Sequence, residues 1–339
     1  MNRTIITLLL ILIVSITVKS QTFEIDKFKK DTINRIDKKG FKQGVWRKYY
    51  PNNTIKYEGT FKDNYQIGQF KLYYEQSKLQ AISVFSEKGV KAKTTQYYEN
   101  GKILSIGNFY NQEKDSLWKL YSTNSILIAE ESYNKGIKTG SWKTYYLSGK
   151  IYENFWYQNN LMNGLYKAFF EDGKTKTEAT YVNGEMDGKT TFYNSTGLIL
   201  ETGSYNKSLK NGEWLIYMDN GTINIKETYE NGKLKKTIRV NGEFTDYYPS
   251  KLPKQKINYK NGKLNDAFTE YYDVGEWKQE FKKGIDGYPD ETVEVLVGQK
   301  IKRTGTYLND KLQGKVTYFT VDETLEKIEN YNNGVIITK

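Results

Sequence analysis

The 339-residue sequence contains no cysteine and no histidine, and only four prolines. Without cysteine there are neither disulfide bonds nor thiolate metal ligands, so packing and backbone pairing alone must hold the fold together. Without histidine the chain lacks the commonest general base and the commonest metal ligand. Proline cannot donate to a β-ladder, so its scarcity is compatible with many extended strands. We therefore predict no catalytic centre, no metal site and no cofactor.

Positive charge is in excess, with 51 lysine and arginine residues against 40 acidic residues and a net charge of +11. Residues 1–20 resemble a secretory signal peptide, because Arg3 precedes an apolar run from Ile5 to Val18. The run is short for a membrane span of about 20 residues, although an uncleaved anchor is the alternative. No cysteine follows it, which excludes lipoprotein attachment. We expect an exported chain, located in the periplasm, on the outer surface or outside the cell, that binds no nucleic acid.

A unit of 24 residues recurs along the chain, and a fixed period of this length is typical of repeat arrays. When the leading residue of each unit is numbered position 0, aromatic residues recur at positions 2, 5 and 17. Aromatic residues between glycine and asparagine punctuation favour β-strands over helices. The twelve predicted units begin at Gly44, Gly68, Ala92, Ser116, Gly140, Gly164, Gly188, Gly212, Gly242, Asp266, Asp290 and Gly314.

Turn residues within the units set the predicted register. Pairs such as Asn100-Gly101 and Asp172-Gly173 occupy positions 8 and 9 and predict two-residue hairpin turns. With that turn, facing positions sum to 17, so position 2 faces position 15 and position 0 faces position 17. We expect the ring at position 2 to cover a small residue at position 15, and the ring at position 17 to cover the glycine at position 0. An even period keeps these rings on one face throughout.

The predicted fold is all-β: an elongated, solenoid-like array of about twelve antiparallel β-hairpins that forms a single continuous twisted sheet. The sequence divides into a signal peptide (1–20), an N-terminal cap (21–43), regular repeats (44–241), and degenerate repeats with a C-terminal cap (242–339). Residues 233–241 are an insertion, either a longer hairpin or a loop, and leave open whether the array has one lobe or two. In the unit at Asp266 the aromatic Phe281 comes two residues early, and residues 284–290 restore the count.

The stretch Tyr57-Glu-Gly59-Thr-Phe61, followed by Gly68-Gln-Phe70, resembles the MORN repeat. An aromatic residue at position 2, where the standard repeat has a second glycine, is similar to the bacterial MORN-variant repeat. The resemblance covers roughly residues 40–334. It implies a sheet of β-hairpins with a role in scaffolding, or in binding proteins or membrane surfaces. Some bacterial members carry an antitoxin label, which fits poorly with a signal peptide.

Two sets of polar residues are candidates for function. Carboxylates recur near position 14, as in Glu58, Glu130 and Glu178, but repetition in every unit indicates solvated strand residues rather than one catalytic pair. Tyrosines at position 5 lie beside basic residues at position 3, on the face opposite position 2, and form a candidate binding face for sugar rings or lipid headgroups. Alternatively, these rings only shield the second side of the sheet. The candidate residues are Tyr49, Tyr73, Tyr97, Tyr121, Tyr145, Lys71, Lys119, Lys143 and Lys167.

Three hypotheses for function follow. The first is an exported, non-catalytic scaffold that binds an unknown protein partner at the cell envelope. The second is a binder of glycan or anionic lipid surfaces through the tyrosine and lysine face. The third, a hydrolase acting on cell-wall material, lacks histidine, cysteine and any unique constellation of polar residues.

Overall fold

The computed structural model describes residues 20–282 and 291–337. Nearly all regular structure in this part of the chain is antiparallel β-strand, with one 3₁₀ turn at Glu87–Gly89. This confirms the all-β class and the array of antiparallel hairpins. The predicted signal peptide lies outside the described residues, except for Ser20. Within the described ranges, no helix has the length and apolar character needed to cross a membrane.

The chain divides into two compact units, Met1–Gly173 and Lys174–Lys339. In the first unit, each long strand pairs with the next long strand along the chain, and the two-residue strands β11 and β14 extend the hairpin ends. Its strands are β1 (Thr22–Ile25), β2 (Thr32–Ile36), β3 (Lys42–Tyr49), β4 (Ile55–Lys62), β5 (Tyr65–Tyr73), β6 (Leu79–Ser86), β7 (Lys91–Tyr97), β8 (Ile103–Tyr110), β9 (Glu113–Tyr121), β10 (Leu127–Asn134), β11 (Ile137–Lys138), β12 (Gly140–Tyr145), β13 (Ile151–Gln158), β14 (Leu161–Met162) and β15 (Gly164–Phe169).

The second unit is also an antiparallel meander, and its strands are distributed among separate ladders. Its strands are β16 (Thr175–Val182), β17 (Glu185–Met186), β18 (Gly188–Tyr193), β19 (Ile199–Asn206), β20 (Leu209–Tyr217), β21 (Ile223–Glu230), β22 (Lys233–Arg239), β23 (Gly242–Tyr247), β24 (Pro253–Lys260), β25 (Lys263–Tyr271), β26 (Glu276–Lys282), β27 (Glu291–Val297), β28 (Ile301–Leu308), β29 (Lys311–Leu312), β30 (Gly314–Phe319), β31 (Leu325–Asn332) and β32 (Val335–Ile336). The long strands from β16 to β22 pair in succession, and an eight-stranded sheet begins at β23. Strands β26 and β27 form a two-stranded sheet of their own among the described residues.

The strands therefore do not form one uninterrupted sheet, and the break falls at the predicted insertion. Residues Lys233–Arg239 form a full strand against β21, so the insertion is a longer hairpin rather than a loop. After it, the amides of Val240 and Asn241 both donate to the carbonyl of Asn224, at 2.8 and 3.2 Å. The backbone there turns out of the β21–β22 ladder before Gly242 opens the next hairpin.

The predicted register within the units is correct, but the turn that produces it is different. Gly140 pairs with Tyr157 and Trp142 with Phe155, so facing positions sum to 17. The loop has three residues rather than two: Tyr146 N–H donates to the carbonyl of Lys150, and only Gly149 at its end has positive φ. A β-bulge in β13 then absorbs one residue and restores the expected pairing. This is a type I turn with a left-handed third residue, the usual three-residue hairpin.

Two-residue turns do occur, but they join successive units. Asn159 and Asn160 both have positive φ, and Gln158 pairs with Leu161 on either side of them. The pairs Asp63-Asn64, Asn111-Gln112 and Asn309-Asp310 adopt the same conformation. Asparagine, aspartate and glycine tolerate positive φ better than other residues, which explains their frequency at positions 19 and 20.

The glycine at position 0 is required by backbone conformation, not by a covering ring. Gly44, Gly68, Gly164, Gly212 and Gly314 all have positive φ, and a Cβ atom added at any of them would meet no atom within 4 Å. The expectation that the ring at position 17 covers this glycine was wrong. Gly68, Gly164, Gly212 and Gly314 lie at β-bulges where the chain passes from one unit to the next. A left-handed residue at such a bulge is the ordinary use of glycine.

The glycine at position 15 is covered by a ring, but the ring belongs to the following unit. A Cβ atom at Gly107 would lie 2.1 Å from Trp118, and one at Gly203 would lie 2.2 Å from Trp214. We expected the covering ring on the facing strand of the same hairpin, and that was wrong at Gly107 and Gly203. The bulge at position 0 displaces the next strand, so its position 2 lies directly over the preceding position 15.

The core is a chain of alternating rings on one side of the strands, which we call the ring face (positions 2, 15 and 17). The Phe61 and Phe70 centroids are 5.2 Å apart, and Phe70 and Phe85 are 5.3 Å apart, in edge-to-face geometry. Edge-to-face ring pairs contribute about 0.5–1.5 kcal/mol each beyond area burial. Trp118 and Trp214 are almost fully buried there. Lysines at position −2 lie over the position 2 rings, at 4.1–4.9 Å from Nζ to centroid: Lys42, Lys114, Lys138 and Lys210.

The unit predicted at Asp290 does not exist, because an inserted hairpin replaces it. Asp266 pairs with Tyr307, and Tyr271 pairs with Ile301, as positions 0 with 17 and 5 with 11 do elsewhere. The residues between Tyr271 and Ile301 include the hairpin β26–β27, in which Phe281 pairs with Thr292. Residues 284–290, expected to restore the register, lie outside the described residues. The array therefore has one unit fewer than predicted.

Candidate functional site

The predicted basic residues at position 3 lie in one row across the first unit. Backbone pairing aligns Lys119 with Glu130, Glu130 with Lys143, Lys143 with Asn154, and Asn154 with Lys167. Lys71 lies in the same row and pairs with Glu58. We call this side of the strands the lysine face (positions 1, 3, 14 and 16). Carboxylates at position 14 separate several of the lysines, so the row alternates in charge over part of its length.

The tyrosines at position 5 are half-buried on this side, and two have hydroxyl groups bound to carboxylates. Tyr145 Oη donates to Glu130 Oε2 at 2.9 Å, and Lys119 Nζ lies 3.3 Å from the other carboxylate oxygen. Burial and this hydrogen bond raise the pKa of Tyr145 to about 12, so the phenol remains a donor at neutral pH. Tyr73, Tyr97 and Tyr121 are also half-buried. At Tyr145, therefore, the ring has a structural partner within its own face.

A second tyrosine ladder, at position 6, was not anticipated. Each of these hydroxyl groups donates to the backbone carbonyl at position 5 of the next unit, as Tyr146 Oη does to Phe169 at 2.8 Å. The contact links consecutive hairpins by a bond that lies outside the strand ladder. The tyrosines that make it are Tyr50, Tyr74, Tyr98, Tyr146, Tyr248 and Tyr272.

Trp156 breaks the pattern of the lysine face. It lies at position 16, where other units have Thr60, Asn108, Ser132 or Thr180. Its side chain is 53% exposed, whereas Trp142 on the ring face of the same hairpin is 7% exposed. Leu165, at position 1 of the next hairpin, is 56% exposed. The two side chains border a groove of about 570 Å³, which we call the Trp156 groove. It is lined by Ser141, Asn154, Phe155, Trp156, Asn163, Gly164, Leu165 and Lys167.

The charged residue that lines the Trp156 groove is basic. Lys167 lines it, and Lys143 lies beside it because its Cα pairs with that of Asn154. Among the described residues that line the groove, none is acidic. The nearest carboxylate along the strand, Glu153, binds Thr144 and Tyr166 instead, at 3.0 and 2.8 Å. The groove thus combines an exposed apolar surface with a basic margin.

A second cavity, of about 490 Å³, lies where the N-terminal segment packs against β3. At its wall the buried guanidinium of Arg47 contacts Asp26 at 3.2 Å, Asp31 at 2.7 Å and Glu58 at 2.7 Å. Tyr49 Oη donates to Asp26 Oδ2 at 2.5 Å. Burial acts to raise the pKa of Asp26. Hydrogen bonds from two backbone N–H groups, Tyr49 and Arg47 outweigh it and hold the pKa far below 3.8. Burial is the main cause, and the hydrogen bond to Asp26 the second, that together raise the pKa of Tyr49 to about 12.

These carboxylates are satisfied by cations and donors within the fold, which is a structural arrangement rather than a catalytic one. Asp26 has an exposed side-chain fraction of 0%, and Arg47 one of 7%. A buried ion pair adds little net stability, because the cost of desolvating both charges offsets their attraction. The described residues contain no group of three acidic side chains placed to hold a metal ion. The cluster anchors the predicted N-terminal cap to the first repeat.

Six stretches of the chain match the MORN repeat variant: residues 42–63, 92–111, 138–159, 162–183, 210–231 and 240–261. The chain therefore carries MORN-variant repeats, as its sequence predicted. Most of these stretches begin two residues before position 0, at the residue that lies over the position 2 ring in the units at Gly44, Gly140 and Gly212.

Comparison with curated proteins found no match. Among solved structures, the chain is similar to the Tc holotoxin pore of Photorhabdus luminescens, at 12% identity and a TM-score of 0.16. It is also similar to the TcdB2-TccC3-Cdc42 complex, at 11% identity and a TM-score of 0.15. Both matches cover 90% of this chain and 17% of the other chain.

Proposed function

We propose that this chain is an exported, non-catalytic repeat scaffold that binds a protein partner at the cell envelope. The observation that carries the proposal is the difference between the two faces. The ring face is occupied by packed aromatic residues, whereas the lysine face presents side chains at regular intervals on successive paired strands. Repeat proteins use such regular surfaces to bind extended partners.

The chemistry of the polar residues supports a scaffold rather than an enzyme. Glu58 accepts from Arg47, Glu130 from Tyr145, and Glu201 contacts Lys210. A general acid or base must reach a substrate proton, and a carboxylate already bound to a cation or phenol is poorly placed for that. Binding through the lysine face, by contrast, needs only exposed side chains on a rigid backbone.

Binding of glycan or lipid through the tyrosine ladder is less well supported. The hydroxyl group of Tyr145 is bound to Glu130, and that of Tyr49 to Asp26, so neither is available without breaking a contact. The ring of Tyr73 is half-buried, and this burial raises the pKa of its hydroxyl group. A half-buried ring offers a ligand less surface than an exposed one. We therefore expect a protein to be the principal ligand of the lysine face.

A pull-down tests the proposal. Residues 21–339, tagged at the C-terminus, are incubated with an envelope fraction of the source cells, with anionic liposomes, and with insoluble polysaccharide. We expect one protein to be retained in near-stoichiometric amount and to be identified by mass spectrometry. Retention on liposomes or polysaccharide without any protein partner would contradict the proposal. Cell fractionation of the full chain and of a chain lacking residues 2–20 tests export.

A further inference from the structure

We infer that the Trp156 groove is the docking site for an acidic segment of the protein partner that inserts an apolar side chain beside Trp156 and Leu165. This inference rests on the proposed function and adds the place and the chemistry of the contact. It is carried by three observations: a tryptophan on the lysine face instead of the ring face, a hydrogen-bonded backbone beneath it, and lysines beside it.

The exposed indole lacks the structural role of three other tryptophans in the chain. Trp118, Trp142 and Trp214 lie on the ring face, where each donates its Nε1–H to a backbone carbonyl of the preceding unit at 3.0–3.1 Å. Trp156 lies on the opposite face and is half exposed, beside an equally exposed Leu165. Tryptophan is enriched among the residues that contribute most to protein interfaces, and an exposed apolar patch with a polar rim marks an interaction site.

The backbone under this apolar pair is held on both sides. Trp156 pairs with Ser141 of β12, and its carbonyl accepts a hydrogen bond from Asn163 N–H at 2.9 Å. Leu165 lies on β15, which pairs with β13 at Asn154 and Lys167. Little backbone ordering is therefore needed when a partner binds, which favours affinity.

The charge and polarity of the Trp156 groove determine which class of ligand fits it. Lys143 and Lys167 flank the apolar pair, and the residues that line the groove include no carboxylate, so an acidic segment is complementary. A saccharide ring would stack on the indole, but it would also need polar partners. The Asn163 amide already donates to Gln158 at 2.6 Å. The side chain of Leu165 can form no hydrogen bond with a saccharide, whereas it adds contact area for an apolar side chain. The groove therefore fits an acidic peptide better than a glycan.

The test uses three fluorescein-labelled dodecapeptides and the chain 21–339, with binding measured by fluorescence anisotropy. The first peptide carries six glutamates around a central Leu-Phe pair, the second replaces the glutamates with lysines, and the third replaces Leu-Phe with Ser-Ser. We expect the first peptide to bind at least tenfold more tightly than the other two, and its binding to weaken as salt is raised. Equal affinity for all three peptides, or preference for either of the other two, would overturn the inference.

Matched variants locate the site. Trp156→Ala, and separately Lys143→Glu, should each weaken binding of the first peptide at least fivefold. Trp277→Ala removes another exposed tryptophan, and Lys93→Glu reverses another exposed lysine on the lysine face, and both should leave affinity within twofold. Equal losses in the test and control variants would refute a local site.

The two proposals fail in different ways. A pulled-down partner that is retained equally by Trp156→Ala and by the wild type would overturn the groove assignment and leave the scaffold function intact. Failure to capture any protein, with tight binding of polysaccharide or anionic vesicles that is lost in Trp156→Ala, would overturn the protein partner itself.

Discussion

The contact between Gly203 and Trp214 gives the sharpest test of how neighbouring units pack. A Cβ atom at Gly203 would lie 2.2 Å from the indole of Trp214, which has an exposed fraction of 0%. That separation is far below van der Waals contact, and the indole cannot withdraw because its Nε1–H donates to the carbonyl of Ser204 at 3.1 Å. Gly203→Ala should therefore overpack the site and lower the free energy of unfolding by about 2–3 kcal/mol.

The chain itself contains a compatible pair at the equivalent positions. Ala179 occupies position 15 of one unit, and Thr190, not a large ring, occupies position 2 of the next. Both are buried. Trp214→Val should cost about 3–5 kcal/mol, as for a buried ring replaced by a small side chain. In that background Gly203→Ala should cost nothing or stabilise slightly, because its methyl group fills space that the indole has left.

A double-mutant cycle measures this dependence. The two single variants, the double variant and the wild type are unfolded in urea and followed by circular dichroism, with equal m-values as the check on comparability. We expect a coupling energy of about 2 kcal/mol or more. Additive costs, within about 0.5 kcal/mol, would refute the packing of Trp214 on the preceding unit.

Three further predictions concern stability. Asp26→Asn should lower the free energy of unfolding at pH 7 by about 3 kcal/mol, because it removes a buried partner of Arg47. Since the folded pKa of Asp26 is depressed, its carboxylate stabilises the fold above the unfolded pKa of about 4, and this contribution is lost as pH falls further. Urea unfolding at pH 7 and pH 3 should show a smaller difference between variant and wild type at pH 3, and an unchanged difference would contradict the argument. Thr190→Val should stabilise the chain by about 1 kcal/mol, because the buried Thr190 Oγ1 has no hydrogen-bond partner among the described residues; a melting temperature below that of the wild type would count against it. Tyr146→Phe should cost about 1 kcal/mol through loss of the bond to Phe169, and a neutral result would show that the position 6 ladder is dispensable.

The fold was predictable where the repeat restricts the register strongly. A period of 24 and facing positions that sum to 17 place Gly140 opposite Tyr157, and the structure has that pairing. The turn was not predictable from the same argument. A three-residue loop followed by a bulge leaves the strands in the same register as a two-residue loop, so the side-chain pattern cannot distinguish them. Turn residues such as Ser148-Gly149 satisfy either geometry at Gly149.

The count of units failed for a related reason. The hairpin β26–β27 adds 24 residues between Tyr271 and Ile301, since 29 residues separate them against five between Tyr49 and Ile55. An insertion equal to one period leaves Tyr307 in phase, so the sequence reads as one more unit. Only the pairing of Asp266 with Tyr307 reveals that the hairpin was inserted into the turn of an existing unit.

The candidate site was predicted in part. Spacing alone placed Lys119, Lys143 and Lys167 in one row, because residues 24 apart occupy the same position on successive hairpins. Trp156 was not predicted, because the predicted site consisted of residues that recur at the same position in successive units, and a tryptophan at position 16 does not recur. The signal was present in the sequence as a large aromatic residue at position 16, where neighbouring units have small or polar ones.

The central claim is that one face of each hairpin is structural and the other binds a partner, and the hairpin β12–β13 carries a tryptophan on each. Melting curves and capture of the envelope partner are compared for Trp142→Ala and Trp156→Ala. We expect Trp142→Ala, which removes a ring 7% exposed, to lose about 3 kcal/mol of stability. Trp156→Ala, which removes a ring 53% exposed, should lose less than about 1 kcal/mol and yet abolish capture. If Trp156→Ala unfolds as readily as Trp142→Ala, the division into a structural and a binding face is wrong. If it is stable but captures the partner as the wild type does, the Trp156 groove is not where that face contacts the partner.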